Sequence, residues 1–210
     1  MLRTMEVMQK LFDEWAKTYD ENLQEATGPL YGYNNSLNEA KEMIQVYKKE
    51  KLIDIGIGTG TFASLVSGNN ESVVGVDVSE KMLETCKEKY PAYHLGVGSF
   101  TNTNANQEDE AFDLVISSFC FHEVLPSERK KACEEVYRII RKEGRLLLLD
   151  IMFVSHFALN EARERIGKKW DSTEVYPLVN ELDTLLRETG FSSVNWRQTA
   201  PCHWALVAHK

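Results

Sequence analysis

The stretch Lys51-Leu52-Ile53-Asp54-Ile55-Gly56-Ile57-Gly58-Thr59-Gly60-Thr61 constrains this chain most. An apolar, β-prone run from Leu52 to Ile55 carries an acid, Asp54. It then opens into glycines at alternate positions, Gly56, Gly58 and Gly60. Glycine accepts positive φ and has no Cβ, so a strand can turn sharply into a helix while its backbone comes close to a ligand. The next apolar run, Ser72 to Val76, is closed by Asp77. An acid at this remove can accept both hydroxyls of a ribose. Together these features mark the nucleoside-binding edge of a Rossmann-like sheet.

A dinucleotide fingerprint needs its third glycine three residues after the second, and that position is Thr61. A ligand without a pyrophosphate needs no phosphate cradle at a helix N-terminus. S-adenosylmethionine (SAM) is such a ligand. Two other readings compete. One is an NAD-dependent oxidoreductase, which Thr61 disfavours. The other is a non-catalytic module that senses SAM or S-adenosylhomocysteine (SAH); it would bind cofactor but offer no pocket above the sulfonium.

At 210 residues, with 43% hydrophobic and 27% charged residues, the chain fits one soluble domain with a full core. The expected division is an N-terminal helical lid segment, residues 1–48, on a core of residues 49–210. A net charge of −8 argues against nucleic acid as partner. Lys48, Lys49 and Lys51 read as a solvated helix end. Asp150 separates the apolar runs Leu146–Leu149 and Ile151–Val154, leaving no membrane span. Glu6 and Asp13 make the start unlike a signal peptide. Cys86, Cys120, Cys133 and Cys202 lack CxxC spacing and read as free thiols of a cytoplasmic protein.

Met5, Met8, Phe12, Trp15 and Tyr19 recur at helical spacing. After a Gly28-Pro29 turn, a second helix is expected over Leu37–Tyr47. Strands and helices then alternate: strands over Leu52–Ile55, Ser72–Val76, Ala92–Val97, Phe112–Ser118 and Arg145–Asp150. Helices fall over Thr61–Ser67 and from a Ser79 cap through Lys89. A third starts at a Ser127 cap and ends at Gly144. Asn102–Glu110 reads as a polar loop. Helices His156–Lys169 and Tyr176–Thr189, the latter stopped by Gly190, precede an antiparallel pair, Phe191–Thr199 and Cys202–His209. This alternation predicts an α/β doubly wound sheet, whose ligands sit beyond the C-terminal strand ends.

Over nearly its whole length the chain resembles the class I SAM-dependent methyltransferases. The matching stretches are Leu52–Gly60, Val74-Gly75-Val76-Asp77-Val78-Ser79, Phe112-Asp113-Leu114-Val115-Ile116-Ser117 and Tyr137–Gly144. The opening Phe12-Asp13-Glu14-Trp15-Ala16-Lys17-Thr18-Tyr19-Asp20 is similar to the F-x-x-W-A-x-x-Y-D start of small, uncharacterised bacterial members. The resemblance implies a seven-stranded, mostly parallel sheet with an antiparallel last strand, under N-terminal lid helices. It implies that Asp54 and the loop Gly56–Gly60 hold the methionine portion of SAM. Asp77 would bind the ribose and Val78 flank the adenine, while Tyr19, with Trp15, would belong to the lid. The family's Gly-Asp after the third strand is Gly98-Ser99 here, so a hydroxyl replaces the acid near the adenine.

Transfer from a sulfonium needs an aligned nucleophile, and an unactivated hydroxyl also needs a base. Gly56, Asp77, Ser99 and Phe119 to Glu123 all fall at the ligand edge. Within Phe119-Cys120-Phe121-His122-Glu123, His122 is the candidate catalytic residue. Glu123 either orients it or caps the loop. Tyr31 and Tyr33 either line a substrate pocket or pack under the lid. No further ligand spacing accompanies Cys120 and His122, so no metal is expected. The expected activity is methyl transfer from SAM to a small-molecule acceptor.

Overall fold

The structure, a computed structural model, describes residues 4–24, 26–47, 49–68, 72–103 and 108–210. Three helices come first: α1 (Met5–Trp15), α2 (Tyr19–Gln24) and α3 (Tyr33–Glu42). Then follow β1 (Leu52–Ile55), α4 (Thr61–Ser67), β2 (Val73–Asp77), α5 (Glu80–Lys89), β3 (His94–Val97) and β4 (Phe112–Ser118). The chain continues through α6 (Arg129–Ile139), β5 (Ile140–Ile151), α7 (His156–Ile166), α8 (Val179–Thr189), β6 (Ser193–Ala200) and β7 (His203–His209).

These strands form a seven-stranded sheet in the order β3-β2-β1-β4-β5-β7-β6. Strands β1 to β5 pair in parallel, and β7 enters antiparallel between β5 and β6. The order reverses beside β1, between β2 and β4, which is where a doubly wound sheet opens its ligand crevice. Both faces are covered. Leu52, Leu114, Leu147 and Leu149 pack into one apolar layer; Ile53, Ile55, Val115 and Leu148 pack into the other. This is why the central strands read as unbroken apolar runs.

Several boundaries differ from the sequence reading, each for a local reason. The first helical stripe breaks at Ala16–Thr18, which frees Tyr19 and Asp20 to turn towards the glycine loop. Met8, Phe12 and Trp15 are described; the side chain of Met5 lies outside the described residues, as does residue 48 at the expected lid boundary. Helix α3 begins four residues early because Gly32, at φ 91°, caps it and the buried stripe is Tyr33, Leu37 and Ala40. It stops at Glu42, and the backbone carbonyl of Gln45 accepts instead from Arg145 Nη1 at 2.8 Å.

Ser79 caps α5 as expected, accepting from the Met82 N–H at 3.1 Å. Ser127 does not cap α6. It sits in a 3-10 turn, Pro126–Glu128, started by the proline, and α6 begins after it. Nor does Gly144 end that helix. The helix stops at Ile139 and β5 starts at once; residues 141–144 bulge out between the pairs Phe112–Ile140 and Leu114–Arg145. Within this bulge Glu143 takes φ 66°, and a Cβ on Gly144 would lie 2.6 Å from Ile140 Cγ2. The third strand starts at His94, α7 ends at Ile166 before a 3-10 turn, and α8 starts at Val179. Of the polar loop at 102–110, residues 104–107 lie outside the described residues.

Candidate active site

The crevice at the strand ends is built on glycine backbone. Gly56, Gly58 and Gly60 adopt φ of 75°, 53° and 87°. A Cβ on Gly56 would come within 2.2 Å of Cys120 Sγ, whereas a Cβ on Gly58 would meet nothing within 4 Å. The loop is therefore packed tightly behind Gly56 and open in front of Gly58. Asp77 is fixed beneath it. Its Oδ2 accepts from the Gly58 N–H at 2.9 Å and its Oδ1 from the Ser79 N–H at 2.9 Å. Burial raises its pKa to about 6 against the pull of these backbone donors.

Behind Asp77 lies Asp54, fully buried, whose Oδ1 has no hydrogen-bond partner among the described residues. Burial, then the charge of Asp77, holds its pKa well above the usual carboxylate range. Of these two buried acids, Asp77 has its oxygens satisfied by backbone N–H groups and Asp54 leaves one oxygen unsatisfied among the described residues. Tyr19, Gly56, Gly58, Asp77, Val78, Ser99 and Phe119 all line the cavity. Gly60 and Asp54 do not. Gly60 caps α4 against Cys86 and Tyr90, and Asp54 sits one layer behind the wall. Further wall comes from Met8, Phe12, Met82 and Phe100, apolar residues whose helical or strand spacing reads only as core.

The N-terminal helices are tied over this crevice by their acids. Asp13 Oδ1 accepts from Ser79 Oγ at 2.6 Å. Asp20 Oδ1 accepts from Thr59 Oγ1 at 2.7 Å and Thr61 Oγ1 at 3.2 Å, and its Oδ2 pairs with Lys89. Phe12, Trp15 and Tyr19 form an aromatic run, with Trp15 edge-on to Tyr19 at 4.8 Å. Within the Phe12–Asp20 segment the aromatics thus line the cavities, and Asp13 and Asp20 bond across to the sheet side.

A second cavity of about 560 Å³ adjoins the first. Phe12, Tyr19, Phe119 and Glu123 line both. Phe119 holds φ 50°, a rare conformation for a bulky residue, at the end of β4. Its ring packs on Tyr33 at 4.7 Å and against His203 at 4.8 Å. Tyr33 is therefore a buried packing residue, and Tyr31 is exposed. The far wall carries His122, Glu174 and Tyr176.

His122 is oriented by Asp150, not by Glu123. Asp150 Oδ1 lies 2.5 Å from His122 Nδ1, and Oδ2 accepts from the His122 backbone N–H at 2.8 Å. Glu123 Oε1 is 3.8 Å from Nε2 and Glu174 Oε1 is 4.0 Å from it. Burial disfavours the charged ring, yet Asp150, then Glu174 and Glu123, outweigh it and carry His122 to about 9. At neutral pH the ring is protonated when these carboxylates are its only company. Asp150, Glu174 and Tyr176 escaped the sequence reading as site residues. Asp150 was readable: it is an acid at the C-terminal end of an apolar strand, the same position as Asp77 on β2. Glu174 and Tyr176 sit on a connection without periodicity and gave no such signal.

Residues 53–148 match the methyltransferase domain family. The match spans 96 of the 210 residues. It is 25% identical over 194 residues to an uncharacterised methyltransferase of Alkaliphilus oremlandii, covering 87% of this chain and 88% of the relative. It is 26% identical over 212 residues to one from Bacillus velezensis, covering 95% and 96%. Among solved structures it is similar to a SAM-dependent methyltransferase of Thermotoga maritima, described as a possible histamine N-methyltransferase. That match has a TM-score of 0.71 and 20% identity, over 97% of this chain and 99% of the other. The [4+2]-cyclase SpnF superposes with a TM-score of 0.77 at 15% identity, over 100% and 97%. The fold is the Rossmann-like fold of SAM-dependent methyltransferases, and domain and fold together imply SAM as cofactor. The residues present fit that cofactor: a buried acid, Asp54, with one unsatisfied oxygen among the described residues, and an open glycine turn at Gly58. No helix among the described residues is long and apolar enough to cross a membrane.

Proposed function

We propose that this protein transfers a methyl group from SAM to a small-molecule acceptor seated in the second cavity, between Trp15, Phe119, His122 and Tyr176. The observation that carries this reading is the shared wall. Phe12, Tyr19, Phe119 and Glu123 face both cavities, so a nucleophile in one meets a sulfonium in the other. Asp77 would take the ribose hydroxyls, Gly56 and Gly58 the close backbone approach, and Val78 and Ser99 the adenine side. In the reaction the nucleophile bonds to the methyl carbon as the carbon–sulfur bond breaks. The electron pair stays on sulfur, and a hydroxyl or amine acceptor gives up one proton.

Alignment and water exclusion supply most of the acceleration in such a displacement. The aromatic lid walls fit that task. His122 is the residue we assign to the acceptor end of the second cavity. The cavity volume suits a small organic molecule. The net charge of −8 disfavours nucleic acid, and four free cysteines fit a reducing cytoplasm. NAD binding is disfavoured by Thr61, and a purely sensing module would not need the second cavity.

A fold hosts many chemistries, so the test must read cofactor and methyl transfer separately. Titration calorimetry with SAH, and with NAD in parallel, should give one-site binding of SAH alone. Binding of NAD alone, or of neither, overturns the reading. With labelled SAM and an acceptor found by screening, His122→Ala should lower turnover at least about 100-fold while SAH affinity stays within about twofold. Undiminished turnover would make His122 structural.

A further inference from the structure

We propose that His122, Glu123 and Glu174 bind a divalent transition-metal cation at the acceptor end of the cavity, with Asp150 as the outer partner of His122. One donor atom from each of the three residues lies within 4.8 Å of the others. The nearest separations, 3.8 Å and 4.0 Å from Nε2 to Glu123 Oε1 and Glu174 Oε1, exceed hydrogen-bond reach. Donors held at about 2.1 Å around a tetrahedral ion stand about 3.4 Å apart. Closing the two histidine–glutamate separations onto an ion needs about 0.4 to 0.6 Å, and the pair of glutamates, held within 4.8 Å, about 1.4 Å at most.

The surroundings are built as metal ligands require. A ligating histidine gives its other ring N–H to a carboxylate, which fixes the tautomer and aims the lone pair. Here Nδ1 faces Asp150, which is itself held by the backbone N–H groups of His122 and Ile151. That leaves Nε2 aimed at the two glutamates, on a side chain only 6% exposed. Glu174 keeps Oε2 on the Tyr176 hydroxyl and turns Oε1 inward. Asp150, Glu123 and Glu174 place carboxylates around one imidazole where their side chains are 0%, 7% and 12% exposed. The Arg129 guanidinium donates to the backbone carbonyls of Val124 and Val175. On binding, a divalent ion would take the place of the His122 Nε2 proton among these carboxylates.

One nitrogen and two oxygens, without thiolate, suit zinc, manganese or iron. Three protein ligands also leave a position open, as catalytic sites do. That position faces the cavity assigned to the acceptor. The metal site stands on its own geometry, but its role rests on the methyltransferase reading: an acceptor hydroxyl held there would be polarised and lose its proton more readily. Glu174 lies far from His122 in sequence, which is why no ligand spacing announced the site.

The test uses the full chain, freed of metal by chelator. It is titrated with Mn²⁺ by electron paramagnetic resonance and with Zn²⁺ by calorimetry, with SAH binding measured on the same samples. One saturable site per chain is expected. Glu174→Gln and His122→Gln should each weaken it at least about tenfold, with SAH binding kept as proof of folding. Glu14→Gln, an exposed acid on the rim of the same cavity, should leave it unchanged. Absence of saturable metal binding in protein that binds SAH overturns this inference alone. So does equal weakening by Glu14→Gln, which would show diffuse attraction. Metal binding without SAH binding would instead sink the methyltransferase reading.

Discussion

Asp77 carries opposing demands. Its backbone donors favour the carboxylate, and its burial favours the acid. Burial wins and sets the pKa near 6. On the proposed reading two ribose hydroxyls would donate to the ionised form, so ligand binding would pull that pKa down. Linkage then gives the sign. Above pH 6 Asp77 is already ionised and SAH affinity is flat; below it, binding must first expel a proton, and affinity falls by up to about tenfold per pH unit. SAH calorimetry between pH 5 and 8 in Asp77→Asn should lose this slope and bind at least about 30-fold more weakly at pH 7.5, the equivalent of about 2 kcal/mol for hydrogen bonds to a charged acceptor. A slope that survives in the variant would assign the titration to another group. Asp54 belongs to the same floor, but without lining the cavity it acts through its neighbours.

On the proposed reading of the N-terminal helices as a lid, the bonds of Asp20 would hold that lid closed. Asp20 joins α2 to the glycine loop and to α5 through Thr59, Thr61 and Lys89. Asp20→Asn keeps the shape and removes the charge. The expected loss is about 1 kcal/mol of lid closure, roughly fivefold in SAH affinity and mostly in a faster off-rate. Stopped-flow release of SAH checks this, with the melting temperature expected to move little; an unchanged off-rate would mean that the lid does not gate the cofactor. The elements also show where sequence reading succeeds. Strands β1 and β4 and helix α4 lie where apolar runs and glycines put them, because they are buried on both faces or bounded by a forced turn. Helices α3 and α6 differ from expectation at their ends, because Gly32, Pro126 and the bulge at residues 141–144 set local backbone turns that apolar spacing does not announce. In the site, Asp77 and the glycines were legible as a spaced pattern. The Asp150–His122–Glu174 group was not, since only the sheet brings β4, β5 and the connection before α8 together.

At the scale of the whole molecule, the sheet and the N-terminal segment meet at His203. It lies on β7 with no solvent exposure. Its Nε2–H donates to the Pro29 carbonyl, and its Nδ1 accepts from Ser36 Oγ, both at 2.8 Å. Its ring also supports Phe119, so this one residue couples the reversed strand, the segment before α3 and the wall between the cavities. Burial is the main cause that lowers its pKa to about 4. An unfolded histidine binds a proton near pH 6.5, and the folded one refuses it until about pH 4. Between those values the unfolded chain holds more protons, so stability is full above pH 6.5 and drains away as pH falls towards 4. The loss approaches about 3 kcal/mol at most. Asp77 works in the opposite sense over part of this range, since its raised pKa lets the folded state take up a proton first. The His203 share must therefore be read as a difference. In urea melts from pH 7 to 4.5, His203→Gln should start less stable than the parent and lose less on acidification, so that the two curves converge. Parallel curves would place the acid sensitivity elsewhere and leave His203 a packing residue alone.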